Sequence, residues 1–340
     1  MLIIKRLFTY VVLLLLLVLI IPFKEPQFLT QLHDNAQAKL EKWTRSTSVS
    51  NEALKVPSKQ EFAVNNIQLN MRQSEVENKL GKAQRTTSNE YGTKWYAYHD
   101  AHYKNFVMVS YLDHKVNALY TNQNLISSKQ KLKYGSPKSV VRDKLGDPIK
   151  YKEKNHVRYE ENDDGYDTFH NDNIYTTVFY DKHNHNNVTA LLQVSNKMEQ
   201  RLQSRYGQPS SHLARGFEQQ NFDLINAERA QRGLNTLTFD DDIATVARKH
   251  SKDMADNNYF DHTNKSNQSP FDRLKHDGIS FNGAGENIAS GQQSSIYAHQ
   301  GLMNSLGHRK NILRKEFKNI GVGVDFNDGD QPYWTENYTY

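Results

Sequence analysis

The rhythm of apolar and polar positions changes several times along this chain, and each change predicts a different element. From Leu7 to Phe23 no charge interrupts an apolar run that includes FTYVVLLLLLVLIIPF. That length sits at the lower edge of the roughly 20 residues that span a bilayer as a helix. The residues that follow, Ile21-Pro22-Phe23-Lys24-Glu25-Pro26, lack the small side chains of a signal cleavage site, and Ala36-Gln37-Ala38 lies too far downstream. The run therefore predicts an uncleaved membrane helix over 7–23, with secretion after cleavage as the alternative. Lys5 and Arg6 precede it, so residues 1–6 stay in the cytoplasm and everything beyond Phe23 is sent outside in a single pass. Residues 24–62 are polar, end in the run TRSTSVSNEA and a short continuation, and read as a stalk.

Beyond the stalk a repeat appears. IQLNMRQSEVENKLGKAQR, Ile67 to Arg85, aligns with LKYGSPKSVVRDKLGDPIK, Leu132 to Lys150, with coincident Ser74/Ser139, Val76/Val141, Leu80/Leu145 and Gly81/Gly146. Each copy predicts a short helix stopped by its glycine in a left-handed conformation. Aromatic and β-branched strands follow, KWYAYH, NFVMVSYL and KVNALYTN in the first copy and NIYTTVFY and NVTALLQVS in the second. Residues 63–197 thus read as one α+β domain of two related halves. The polar stretch 198–214 reads as a linker.

Residues 215–340 open with helical periodicity. In FEQQNFDLINAERAQRGL the apolar Phe222, Leu224 and Ile225 recur at helical spacing before Gly233. Asp240 caps the next helix, on which Ile243, Val246, Ala247, His250 and Met254 share one face, so His250 points inward. Ser269-Pro270 starts a third helix that Gly278 closes. NIGVGVDF and YWTENYTY, joined by NDGDQ, form a terminal hairpin. Helices first and a hairpin last predict an α-β-α sandwich, and the fold class as a whole is α+β.

Composition sharpens the compartment. The chain of 340 residues has no cysteine, so exported domains rest on apolar cores alone. Its net charge is +5, with basic residues scattered among acidic ones, which argues against nucleic acid as a partner and for a solvated surface. His183 and His185 in DKHNHNN read as polar loop residues, since a metal site needs ligands that converge.

Three motifs carry polar residues that an ordinary core avoids: YFDH ending at His262, GENIA with Glu286, and NSLGHR with His308. With HSKDM and the GVGV strand they resemble, from about Phe217 to Tyr340, the CAP superfamily of cysteine-rich secretory proteins, antigen 5 and pathogenesis-related proteins, in its bacterial extracellular branch. The repeat region is similar to the CAP-associated N-terminal domain. The resemblance implies a central cleft in which His262 and His308 match the two histidines and Glu286 the first acid, with Asn304 and Ser305 placed beside them. The second acid has no counterpart, because IYAHQGLMNSLG contains no carboxylate. Leu302 and Leu306 stand where bacterial relatives usually show tryptophan and proline.

A carboxylate such as Glu286 can fix which nitrogen of His308 carries the proton. Two histidines and one acid approach a minimal site for a divalent metal such as zinc, through His262 and His308, and also suffice for acid-base work. A buried hydrogen-bonded network would need the same residues. No nucleophile elbow or HExxH helix is present. The sequence therefore favours an anchored surface protein that binds an envelope component, lipid, peptide or polymer, over a metal-dependent or acid-base hydrolase using the same cleft.

Overall fold

The computed structural model describes residues 52–161 and 163–340. The expected membrane helix over 7–23 lies outside them, and no helix among the described residues is long and apolar enough to cross a membrane.

The repeat folds as two halves of one sheet. Strands β1 (Phe62–Val64) and β6 (Ile126–Ser128) pair with each other, each ahead of its half's helix, α1 (Gln73–Leu80) and α2 (Lys138–Leu145). The main sheet is antiparallel, in the order β2 (Arg85–Ser88), β3 (Lys94–Tyr98), β4 (Val107–Leu112), β5 (Lys115–Thr121), β11 (Asn187–Ser195), β10 (Ile174–Asp181) and β9 (Tyr166–Asn171). The matching ends of the repeats meet at its centre, where Ala118 and Leu119 of β5 pair with Val194 and Gln193 of β11. Gly81 and Gly146 end the helices at φ +77° and +83°, as expected, but with ψ near −160°. That extended positive-φ region is open to glycine alone. A separate hairpin, β7 (Tyr151–Lys154) with β8 (Val157–Glu160), stands off the main sheet. Its alternating lysines and acids concealed it from the sequence pattern.

One face of the sheet is closed by α1 and α2 through Val76, Leu80 and Val141. The other face is closed by the C-terminal region. Helix α4 (Ser211–Gln231) contributes Leu224 and Ala227, and α7 (Ser295–Asn304) contributes Ile296 and Tyr297, to a cluster with Trp95, Met108, Phe179 and Leu192. Two residues of the stretch read as a linker, Met198 and Leu202, belong to the same cluster. The first of them lies within a short helix, α3 (Asn196–Glu199), and α4 already starts at Ser211. Two apolar anchors among many polar neighbours left no period to read. Gly216 of α4 marks how closely the regions approach, since a Cβ there would stand 2.3 Å from the Ser88 carbonyl oxygen.

The C-terminal region is the expected sandwich. Its sheet runs β12 (Thr238–Phe239), β14 (Asn319–Phe326), β15 (Pro332–Thr339), β13 (Ala284–Ser290). Ile320, Val322 and Val324 of β14 turn toward the cluster that holds α4 and α7. On the opposite face Gly321 and Gly323 let α5 (Asp241–Asn257) lie on the strand, because a Cβ at either would fall 2.1 Å from a backbone nitrogen of α5. Asp240 caps α5 by accepting from the Asp242 and Ile243 N–H groups. Helix α6 (Pro270–His276) opens on the Ser269 cap, and α8 (Leu306–Ile312) follows α7 after a break at Ser305.

Candidate functional site

Edge strand β13 carries the site. Glu286 and Ile288 alternate onto one face, and Ile288 packs with Met254 of α5. Glu286 is therefore turned toward α5 and α6, where two partners hold its carboxylate. Oε1 accepts from His262 Nδ1 at 2.9 Å, and Oε2 pairs with the Arg273 guanidinium. Arg273 also donates to the carbonyl oxygens of His262, at 2.7 Å, and Gln268, at 3.1 Å. It thus clamps the His262 loop and its acid together, with only 6% of its side chain exposed. His250 adds a third tie: its Nε2–H donates to the Asp261 carbonyl at 2.9 Å. Burial pushes the His250 imidazole below its ordinary value, and the ring is buried, as its place on the inward face of α5 implies.

His262 differs from the groups that hold it. Its side chain is 49% exposed, while that of Glu286 is 2% exposed. The hydrogen bond to Glu286 raises its pKa against the opposing effect of burial. Since Nδ1–H is committed to Glu286, Nε2 is the atom left for a ligand.

His308, on α8, approaches from the other side of β13. Asn311 Nδ2 donates to the Glu286 carbonyl oxygen at 3.1 Å and to Asn287 Oδ1 at 2.9 Å, while Asn287 Nδ2 donates to the His308 carbonyl oxygen at 3.2 Å. These amides dock α8 on the strand. Glu286 does not orient His308, contrary to expectation, because both its oxygens are taken by His262 and Arg273. His308 Nδ1 is buried and has no partner in the protein. Burial, and then the neighbouring His262, lower the His308 pKa against the pull of Glu336.

Glu336 is an acid the sequence reading passed over. It is fully buried on β15, opposite Asn287, and accepts from Asn221 at 2.6 Å, Asn287 at 2.9 Å and the Tyr338 hydroxyl at 2.6 Å. The missing second carboxylate was sought on α7, but a buried one lies behind the site on the central strand. Its signal was there to read, a lone acid inside the inward-facing Trp334, Glu336, Tyr338 alternation.

Asn304 is turned to another part of the molecule. Asn304 ends α7 and turns to the first region, donating to the Tyr180 carbonyl at 2.9 Å and accepting from the Lys182 N–H at 2.9 Å, and His183 Nε2 meets its carbonyl oxygen at 3.1 Å. Ser305 breaks the helix with an extended backbone, φ −101° and ψ 117°, between the end of α7 and the start of α8. Asn304 and Ser305 instead line a cavity between the two regions.

As a metal centre the cleft offers His262 Nε2 and His308, while Glu286 is engaged by His262 and by Arg273, which places a fixed positive charge beside them. Among the described residues no group of three or more His, Asp or Glu side chains could hold a metal ion. Two imidazoles are one short of the three protein ligands of a catalytic zinc.

The comparisons agree with the motif order. Residues 69–220 match the family described as CAP-associated N-terminal, and residues 222–338 match the cysteine-rich secretory protein family, CAP. Two curated relatives from Bacillus subtilis (strain 168) match the C-terminal region. The uncharacterized protein YkwD is 49% identical over 115 residues, 34% of this chain and 44% of YkwD. The uncharacterized membrane protein YlbC is 42% identical over 121 residues, 36% of this chain and 34% of YlbC. The chain thus spans less than half the length of either. Among solved structures, an extracellular protein containing an SCP domain from Bacillus anthracis str. Ames aligns with TM-score 0.69 and 26% identity, over 85% of this chain and 98% of that one. A cysteine-rich secretory protein from Staphylococcus aureus shares the fold at TM-score 0.64 and 15% identity, over 86% and 99% of the two chains.

Proposed function

Because the chain belongs to the CAP family in its bacterial form, a CAP domain preceded by a CAP-associated N-terminal region, we propose that it is an anchored surface protein whose cleft at His262, Glu286 and His308 binds an envelope lipid or peptide. The observation that carries this reading is the contrast within the cleft. A half-exposed imidazole, biased toward its protonated form, is held by a buried Glu286–Arg273 pair. Phe260, Phe271 and Leu306 are 53%, 45% and 55% exposed, each two residues from His262, Arg273 or His308. A half-exposed imidazole donor, with Phe260 exposed two residues before it, suits a ligand that joins an acceptor group to an apolar part. Anchoring rests on the Leu7–Phe23 run and on Lys5 and Arg6. The membrane description of YlbC and the extracellular description of the Bacillus anthracis protein support the same compartment. For zinc, the proposal reduces to weak contact through His262 and His308.

A second reading, acid-base hydrolysis, draws on one observation. His262 and His308 are shifted in opposite directions, so the first holds its proton more tightly than the second. The two readings separate when the purified chain is incubated with peptide, lipid and wall fractions. Saturable retention without product, lost in His262→Ala/His308→Ala, is the expected result. Product formation that Glu286→Gln abolishes would establish the hydrolase instead.

A further inference from the structure

Away from the cleft, a cavity of about 290 Å³ lies between the β7–β8 hairpin and its following loop on one side and α7 with the loop before it on the other. Its volume is near the lower end for small-molecule sites. Lys152, on the hairpin, lines it and is only 4% exposed. The neighbouring cation, Lys154, is satisfied by Glu199 Oε1 at 2.6 Å and by the Leu202 carbonyl oxygen at 3.1 Å. Lys152 is held more loosely. It lies over the Tyr175 ring, and its nearest carboxylate oxygens, on Glu199 and Glu161, stand at 3.7 and 3.9 Å, ion pairs longer than a short hydrogen bond. An ammonium has three donors, and ion pairs this long leave it able to reach a further acceptor. Across the cavity, Gln292 Oε1 and Gln293 Nε2 are buried with no partner in the protein. The apolar wall is aromatic, with Tyr166, Phe179 and Tyr297 packed edge to face or tilted at centroid distances of 5.3 to 5.7 Å.

We infer that this cavity is a second binding site, for a small ligand of about dipeptide size whose carboxylate is taken by Lys152. The ligand's amide groups pair with Gln292 and Gln293, and its side chains lie on the aromatic wall. Both regions of the chain contribute to the site, so an occupant bridges them. Nothing in it depends on the His262 cleft.

Gly301 provides the decisive variant. It lines the cavity from α7, it is exposed, and a Cβ built there meets no heavy atom within 4 Å. Gly301→Leu therefore puts a bulky side chain at the lining of the site from a position whose Cβ displaces nothing, and leucine is the better helix former. Calorimetric titration of the full chain with alanyl-alanine should give saturable binding. The C-terminal amide of the same dipeptide should bind at least about tenfold more weakly, the usual scale for losing a charge-assisted hydrogen bond. Gly301→Leu and Lys152→Met should each abolish binding, while His262→Ala/His308→Ala leaves it intact. The inference is overturned if neither dipeptide form binds, if the acid and the amide bind equally, or if Gly301→Leu binds like the wild type. Gly301→Leu keeps the test valid even where Lys152→Met fails to fold, and the His262/His308 variant separates failure here from failure at the cleft.

Discussion

Histidine meets glutamate twice in the C-terminal region, once at the cleft and once against the repeat sheet. At the cleft, His262 is half in water and donates to Glu286 at 2.9 Å. At the seam, His299 and Glu228 are 0% and 1% exposed and stand 3.7 Å apart. Glu228 is bracketed by Arg232 and by Asn122 Nδ2 at 3.1 Å. Burial alone would push its carboxyl up, but His299, Arg232 and Arg309 outweigh it and hold the group below its ordinary value. The residue types match while the surroundings do not. A pair that exchanges with solvent can meet a ligand, whereas a sealed pair can only position the elements that carry it. What separates a site from a strut here is access, and that depends on which helix face the repeat sheet covers.

If the seam is a shared core, removing the sheet should have the largest effect of any change. Expressing residues 210–340 alone uncovers Leu224, Ile296 and Tyr297, each worth about 1.5–3 kcal/mol of burial. The fragment should bind a hydrophobic dye and melt without a sharp transition, while residues 52–340 melt cooperatively. A sharp melt of the fragment at the longer chain's temperature would mean that the regions are independent. Next in size is Glu228→Ala, which leaves His299 and Asn122 facing a buried gap and Arg232 with Asp181 as its remaining partner. Breaking a buried pair costs about 3–5 kcal/mol, so Tm should fall by on the order of 10 °C. Retention of ligand by the folded fraction should not change, and if it did the seam would be no mere strut.

His262→Ala should produce the smallest loss of stability and a distinct pH profile. The His262 pKa is raised in the folded chain, so its contribution is fully present below the ordinary histidine value near 6.5 and fades as pH rises through the raised value. Screening at a half-exposed side chain keeps that contribution below about 1 kcal/mol. Tm differences between wild type and variant across pH 5 to 8 check the sign, and a deficit that grows with pH would contradict it. In Glu286→Gln, the His262 resonance should titrate at a lower pH than in the wild type.

Much of this was legible in the sequence because it depended on local period or on capping. The Asp240 and Ser269 caps, the β14–β15 hairpin and most of the repeat strands follow from short-range pattern. His262 and Glu286 were legible as polar residues in otherwise apolar motifs. The rest depended on contacts distant in sequence. Arg273 reads as one charge among many until α6 docks beside β13, and Glu336 looked like a strand acid until β15 proved central. Asn304 was placed with His308 by adjacency along the chain, but the break at Ser305 sends it to Tyr180 and Lys182. Burial of α4 on two faces was unreadable, since Asp223, Asn226, Glu228 and Arg229 look solvated until two sheets enclose them.

The contrast between open and sealed pairs is tested most directly by modifying histidines with diethyl pyrocarbonate and mapping the products by mass spectrometry, with and without an envelope lipid and peptide extract. His262 should be modified readily in the free chain and protected by the extract, while His299 stays unmodified in both states until the chain unfolds. Equal modification of His299 and His262 in the folded chain would contradict the account, as would a His262 that the extract leaves unprotected.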